Sequence, residues 1–225
     1  MIELRELEFA YDKGEFVLRI SQLTIARGET VAIVGPSGSG KTTLLNLLAG
    51  ILRPDRGRVG IQDVDLAAVD NRTARDFRAA HIGLIFQEFE LLEYLCVRDN
   101  ILLPFRINRK LHLSAAVYSR ANELAARVGI IDKLDRFPGQ LSQGEKQRVA
   151  VCRALITGPA LILADEPTGN LDQHNKIKVL DILLDCVREK DTTLVTVTHD
   201  LDLVSRFDTV VDFSSLTDAA GHHTS

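Results

Sequence analysis

Paired cysteines, surplus basic charge and long apolar runs are all missing from this chain, and each shortage closes off a class of function. The three cysteines, Cys96, Cys152 and Cys186, are odd in number and far apart, with no two separated by only two residues. Such spacing builds neither a zinc site nor a disulfide framework, so they read as buried thiols in a reducing compartment. Lysine and arginine number 27 against 31 acidic residues, a net charge of −4, which argues against a nucleic-acid partner. No uninterrupted apolar stretch approaches the roughly 18 residues of a membrane span. The opening MIELRELEFAYDKGE is charged from its third residue and is no secretory signal. The expectation is a cytoplasmic protein, soluble by its own means, whose membrane role, if it has one, comes through a partner. Internal repeats and low-complexity tracts are also absent. The polar end, residues 214–225, reads as a flexible tail in which His222 and His223 are surface residues rather than a metal site.

What remains is a chain of 225 residues, 45% apolar, enough for one domain with a single core. Residues 2–11 and 16–25 alternate apolar and polar positions, as Leu7, Phe9 and Tyr11 do, which predicts an antiparallel β layer with one wet face. Three unbroken apolar runs follow: TVAIV at 30–34, ALILAD at 160–165 and TLVTVTH at 193–199. Runs of that kind suit strands covered on both faces, hence a central, mostly parallel sheet. Between residues 87 and 158 the punctuation becomes helical, with serine at the start and glycine at the stop of 114–129 and again of 142–158. The fold class is therefore α/β, with a core at 1–86 and 159–213 and a helical subdomain inserted at about 87–158.

The first apolar run leads into Gly35-Pro36-Ser37-Gly38-Ser39-Gly40-Lys41-Thr42, followed by Thr43 and a short leucine-rich helix. This is the phosphate-binding loop of a P-loop NTPase in full. Glycines let successive backbone N–H groups turn toward a polyphosphate at a helix N-terminus. Lys41 brings a point charge to the β and γ phosphates, and the Thr42 hydroxyl is a ligand for Mg²⁺. The second run delivers its complement, Asp165 for the Mg²⁺ shell and Glu166 to activate a water. ATP and Mg²⁺ are the implied cofactors. A GTPase would need a guanine-reading Asn-Lys-x-Asp, but Asn175-Lys176 is followed by Ile177 and Lys178. The arginine-rich lid of a small-molecule kinase is not visible either.

The segment LSQGEKQRV at 141–149 resembles the signature of ABC transporter ATPases, a segment other phosphate-loop classes lack. With that resemblance, Gln87 in LIFQEFELL matches the Q-loop, Asn170-Leu171-Asp172 the D-loop and His199 in TVTHD the switch histidine. The likeness covers residues 2–213. It implies a homodimer in the ATP-bound state, in which Ser142 and Gly144 of one copy reach the γ-phosphate of ATP held by the other. It also implies γ-phosphate sensing by His199, Mg²⁺ contact and coupling by Gln87, and a place for Asp172 among the ATP-binding residues. A lone histidine at a strand end would otherwise read as a core residue. Tyr11 precedes the loop where this family stacks an aromatic on adenine, although a plain strand aromatic fits as well. In the signature, Gln143 stands where glycine is usual and Glu145 where glutamine is usual; Ser142 with Glu145 makes a capping box.

DEPTGNLD at 165–172, FQEFELL at 86–92 and NILLP at 100–104 look like the branch serving lipoprotein release and macrolide export. Integral membrane permease subunits are its partners, placing this chain on the inner face of the membrane. Phe89, Leu91, Leu92 and Tyr94 offer either a groove for a short permease helix or packing within the helical segment. Residues 68–80 and VVDFSSLTD depart from the branch, the latter lacking the Asp-Gly turn of a closing hairpin. An ABC ATPase that regulates a cell-envelope complex without transport is the alternative reading. A DNA-repair or translation ATPase would need a coiled-coil insertion or tandem units, and neither is present.

Overall fold

In the computed structural model, which describes residues 1–11 and 16–217, two sheets lie on either side of one apolar layer. The paired histidines of the tail lie outside the described residues. Strands β1 (Ile2–Ala10) and β2 (Val17–Ile25) pair antiparallel, with Leu4 opposite Leu23 and Leu7 opposite Ile20. β4 (Arg56–Ile61) and β5 (Val64–Asp65) extend this sheet in the order β2-β1-β4-β5. The apolar alternation of β1 slips between Leu4 and Leu7, where the β1–β4 register also shifts and Glu6 turns left-handed at φ 47°. That is a bulge, which keeps both halves of the strand facing the core.

The second sheet is parallel throughout, in the order β6-β7-β8-β3-β9. Its members are β3 (Thr30–Val34), β6 (Ile82–Ile85), β7 (Leu161–Asp165), β8 (Thr193–Thr198) and β9 (Thr209–Asp212). Every residue of the central β8 is buried, as a strand covered on both faces requires. Edge strand β9 alternates half-buried and exposed instead, and it pairs with β3, not with a hairpin partner. Beyond it Thr217 makes a single antiparallel bridge to Ile20, tying the end of the described chain to the other sheet.

Helix α1 (Lys41–Leu48) buries Leu44, Leu47 and Leu48 in the layer between the sheets. Helix α2 (Asn71–His81), capped by Asp70 on the Thr73 N–H at 2.7 Å, runs straight into β6. Helices α3 (Val97–Ile101), α4 (Leu103–Ile107), α5 (Ala115–Arg127) and α6 (Gln143–Leu155) follow between β6 and β7. Ser114 stands at the N-cap of α5, but its side chain makes no capping bond, so the serine expected as a cap only marks the boundary. Helix α7 (Gln173–Glu189) covers the outer face of the parallel sheet, and α8 (Phe213–Leu216) is a single turn after β9.

α6 belongs to two cores. Val151, Ala154 and Leu155 pack with Ile85, Ile162 and Leu184 against the sheet, whereas Val149, Cys152 and Ile156 pack with Val97, Ile101 and Ala125. It crosses β6 at Gly83, where an added Cβ would lie 2.4 Å from the Ala154 carbonyl oxygen. Only glycine allows helix and strand backbones so close. The helical segment therefore hangs on the sheet through α6. Of the three cysteines, Cys152 and Cys186 are buried and Cys96 is half-buried; all are free thiols.

Candidate functional site

The C-terminal ends of β3, β7 and β8 meet at the start of α1, the end of a parallel sheet where open α/β folds bind ligands. They enclose a pocket of about 460 Å³ that contains Ser37, Gly38, Gly40, Lys41, Thr42, Thr43, Gln87, Asp165, Glu166 and His199, with Tyr11 and Phe16 at its rim. Its volume suits a ligand of nucleotide size.

The head of α1 is built open. Its N-cap is Gly40, at φ 109°, which supplies no side-chain acceptor, and no acid stands in the first turn. The first N–H groups of the helix are thus left for an anion, with the positive end of the helix dipole behind them. Glycine is required at position 40 by that positive φ, and a Cβ there would also push on the tip of the Phe16 ring, 2.5 Å away. Lys41, only 8% exposed, folds back under the loop and donates to the carbonyls of Gly35 at 2.8 Å and Pro36 at 2.7 Å. Two of its three protons are spent on the loop, and one is left for a ligand. The Ser39 hydroxyl is buried with no hydrogen-bond partner among the described residues.

Asp165 and the Thr42 hydroxyl lie close together in the pocket lining. Burial pushes the Asp165 carboxyl above the usual carboxylate range, and the Thr42 hydroxyl and Lys41 charge work against that rise. One carboxylate and one hydroxyl are few ligands for a metal, and no group of three or more His, Cys, Asp or Glu among the described residues could hold one. The set suits Mg²⁺, which keeps several waters and takes the rest of its oxygens from substrate phosphates.

Glu166 sits just past β7 in the left-handed region at φ 44°, an uncommon backbone state that concentrates at functional sites. Its N–H donates to the Val197 carbonyl at 3.0 Å. One carboxylate oxygen accepts from the Thr198 hydroxyl at 3.1 Å, and the other lies 2.7 Å from His199 Nδ1. The His199 ring is 65% exposed while the Glu166 side chain is 11% exposed, so the histidine stands between the carboxylate and solvent. Asn170 Nδ2 holds the Gln87 carbonyl at 2.8 Å, joining the segment after β6 to the segment after β7.

Comparison with known proteins agrees with this geometry. Residues 18–169 match the family model described as ABC transporter. The chain belongs to that family. It is 44% identical over 206 residues to the lipoprotein-releasing system ATP-binding protein LolD 1 of Rhodopirellula baltica, covering 90% of this chain and 89% of that one. It is 41% identical over 211 residues to the ABC transporter ATP-binding protein YbbA of Escherichia coli, covering 92% of each. A solved dimeric ATP-binding cassette in a post-hydrolysis state, bound to ADP and Pi, superposes with a TM-score of 0.83 at 32% identity, covering 94% of both chains. The α/β P-loop architecture is that of ABC cassettes, and the chain is an ATP-binding ATPase.

In this ABC ATPase the remaining expected residues, Tyr11 apart, fall outside the pocket. Gly35, Pro36 and Ser39 form the loop behind it, with Gly35 packed against the buried Phe213. Ser142 is exposed at the head of α6, Gly144 is buried against Asn175, and Asp172 caps α7 by accepting the Asn175 N–H at 3.1 Å. Tyr11 lies in the pocket, its hydroxyl sharing a 3.2 Å hydrogen bond with Thr43 and its ring edge-on to Phe9. The sequence pattern did not point to Phe16 or Thr198. Phe16 shows only as a second aromatic shortly after Tyr11, and Thr198 as a hydroxyl next to His199.

Proposed function

We propose that two copies of this ATPase close on two Mg·ATP and thereby drive an integral membrane permease that exports or extracts a lipoprotein, lipid, peptide or drug. The observation that carries this reading is the division of the motif residues. Lys41, Asp165, Glu166, Gln87 and His199 share one pocket, while Ser142 caps α6 and Gly144 lies in its first turn, both outside that pocket. A second copy must supply what the pocket lacks, in keeping with the dimeric cassette it resembles.

Within a closed pair, Lys41 and the first N–H groups of α1 hold the β and γ phosphates, Thr42, Asp165 and Gln87 hold Mg²⁺, and Tyr11 stacks on the adenine. When bound, Mg²⁺ neutralises charge on the transferring phosphoryl group. Glu166 takes the proton of the attacking water, and His199 keeps that carboxylate directed at the γ-phosphate. Ser142 of the second copy adds its hydroxyl and the free N–H groups of α6 on the opposite side. Hydrolysis releases the pair.

The permease contact belongs to a groove of about 430 Å³, mostly apolar, walled by Leu84, Phe86, Leu103, Pro104 and Ile107 with Arg75 and Arg153 at the rim. Phe89, expected as part of such a groove, is instead 7% exposed and packed inward. Arg153 pins its segment, with a guanidinium nitrogen 2.6 Å from the Phe89 carbonyl. Tyr94 is 75% exposed, outside this groove. The groove walls include the strand that leads to Gln87, so a helix seated there touches the segment that meets nucleotide. Such an ATPase works on the cytoplasmic face of the membrane, through its permease.

The test is a tagged Glu166→Gln chain captured from detergent-solubilised membranes with Mg·ATP. It should come down as a dimer with a permease attached and turn over ATP on the order of 100-fold more slowly. Near-normal turnover by Glu166→Gln would remove the assigned base, and capture of a monomer alone would remove the transporter reading.

A further inference from the structure

Among the described residues, the contacts that aim Glu166 come from one direction. Its N–H, one carboxylate oxygen and the other carboxylate oxygen meet Val197, Thr198 and His199 in turn, three consecutive residues at the end of β8. The aim of the carboxylate is therefore only as good as the placement of that strand end.

A second set of contacts fixes the strand end. The Thr198 hydroxyl, which gives its proton to Glu166 Oε2, also accepts the Asp200 N–H at 3.1 Å. Asp200 accepts from the Asp202 N–H at 3.2 Å and, through its other oxygen, from Lys176 Nζ at 2.7 Å. Lys176 stands in the early part of α7, the helix that Asp172 caps. The two side chains are 21% and 12% exposed, so solvent screens this ion pair less than an open surface pair. The result is one continuous chain of hydrogen bonds: Lys176, Asp200, Thr198, Glu166.

We propose that Thr198 is a positioning residue for ATP hydrolysis, and that the Lys176–Asp200 pair is the strut that holds it in place. The proposal rests on Glu166 being the general base. Geometry gives Thr198 this part. It is 4% exposed, it is not among the residues that line the pocket, and both its donor and its acceptor capacity are used. A backbone N–H can only donate, so Asp200 occupies a lone pair of the hydroxyl and leaves its proton for the carboxylate. A terminal carboxylate torsion is otherwise soft, and an in-line attack tolerates little misplacement of the base. Valine has the shape of threonine but no proton to give.

The experiment compares steady-state Mg·ATP hydrolysis and binding of a fluorescent ATP analogue for Glu166→Gln, Thr198→Val, Thr198→Ser and Lys176→Met. Thr198→Val should lower kcat by about 10-fold, as misaligned catalytic groups do, with KM and analogue binding within twofold. Thr198→Ser should restore most of kcat, and Lys176→Met should lower it by about threefold through a looser strand end. Should Thr198→Val fail to fold, the Lys176→Met loss and its recovery in Lys176→Asp/Asp200→Lys carry the same test. Wild-type kcat in Thr198→Val and Lys176→Met, beside an inactive Glu166→Gln, overturns the proposal and leaves the base assignment standing. Equal losses in Thr198→Val and Thr198→Ser, or a parallel fall in nucleotide binding, also overturn it. An active Glu166→Gln removes the base itself, and the proposal with it.

Discussion

Helices α1 and α6 both carry motif residues at their N-termini, and the two ends are finished in opposite ways. α1 begins at a glycine with no cap and no acid, next to a buried lysine. α6 begins at Ser142 inside a complete capping box: its N–H and hydroxyl reach Glu145 at 2.8 and 2.9 Å, and its hydroxyl accepts the Glu145 N–H at 3.3 Å. One end leaves its first N–H groups open to an anion. The other has satisfied itself with its own carboxylate and keeps only the earliest N–H groups free. A single chain thus holds one open helix end and one self-capped helix end.

Four substitutions break or sharpen that contrast. Lys41→Ala strips the open end of its charge and should cost at least about 100-fold in kcat/KM, read from steady-state hydrolysis. Gly83→Ala wedges a methyl between α6 and β6 and should destabilise the fold by about 3 kcal/mol in urea unfolding, shifting one end relative to the other. Ser142→Ala should remove about 1 kcal/mol of helix capping and lower turnover, while one chain's affinity for an ATP analogue stays at the wild-type value. Glu145→Gln makes the second end resemble the first, and its effect should be the smallest. The Ser142 backbone N–H holds the Glu145 carboxyl below its ordinary range, helped by the Ser142 hydroxyl and the Lys133 and Arg148 charges. A depressed carboxylate stabilises the fold fully above its unfolded pKa of about 4.3 and loses that contribution as pH falls through its folded value. The stability gap between wild type and Glu145→Gln should therefore be widest near neutrality and close in acid, in unfolding curves measured across pH.

The parts of this molecule that depend on local spacing were legible in the sequence, and the parts that depend on distant pairing were not. The glycine loop, the apolar strand ending in Asp165 and Glu166, and the box of Ser142 with Glu145 each sit within a few residues, so chemistry and spacing can be read together. β6 is four residues following α2 without a turn between them, too short for a period to show. β9 alternates like a hairpin strand, yet pairs parallel with β3 across most of the chain. Phe89 reads as exposed among acids but is buried, because Arg153 fastens its carbonyl from α6. Asn100, read only as a branch marker, is fully buried and holds the loop before α3, accepting the Leu92 N–H at 2.8 Å and donating to the Leu95 carbonyl at 3.0 Å. Such roles belong to a fold, not to a motif.

Gly83 gives the two ends of the site a mechanical relation. Where α6 crosses β6 there is no side chain to change rotamer and no cushion to compress, since protein interiors pack like solids. β6 ends at Ile85, and Gln87 follows at the pocket wall. The helix and the strand therefore mesh like gear teeth without backlash. A displacement of α6 against the sheet is therefore carried into β6, and with it into the short segment that brings Gln87 to the pocket wall.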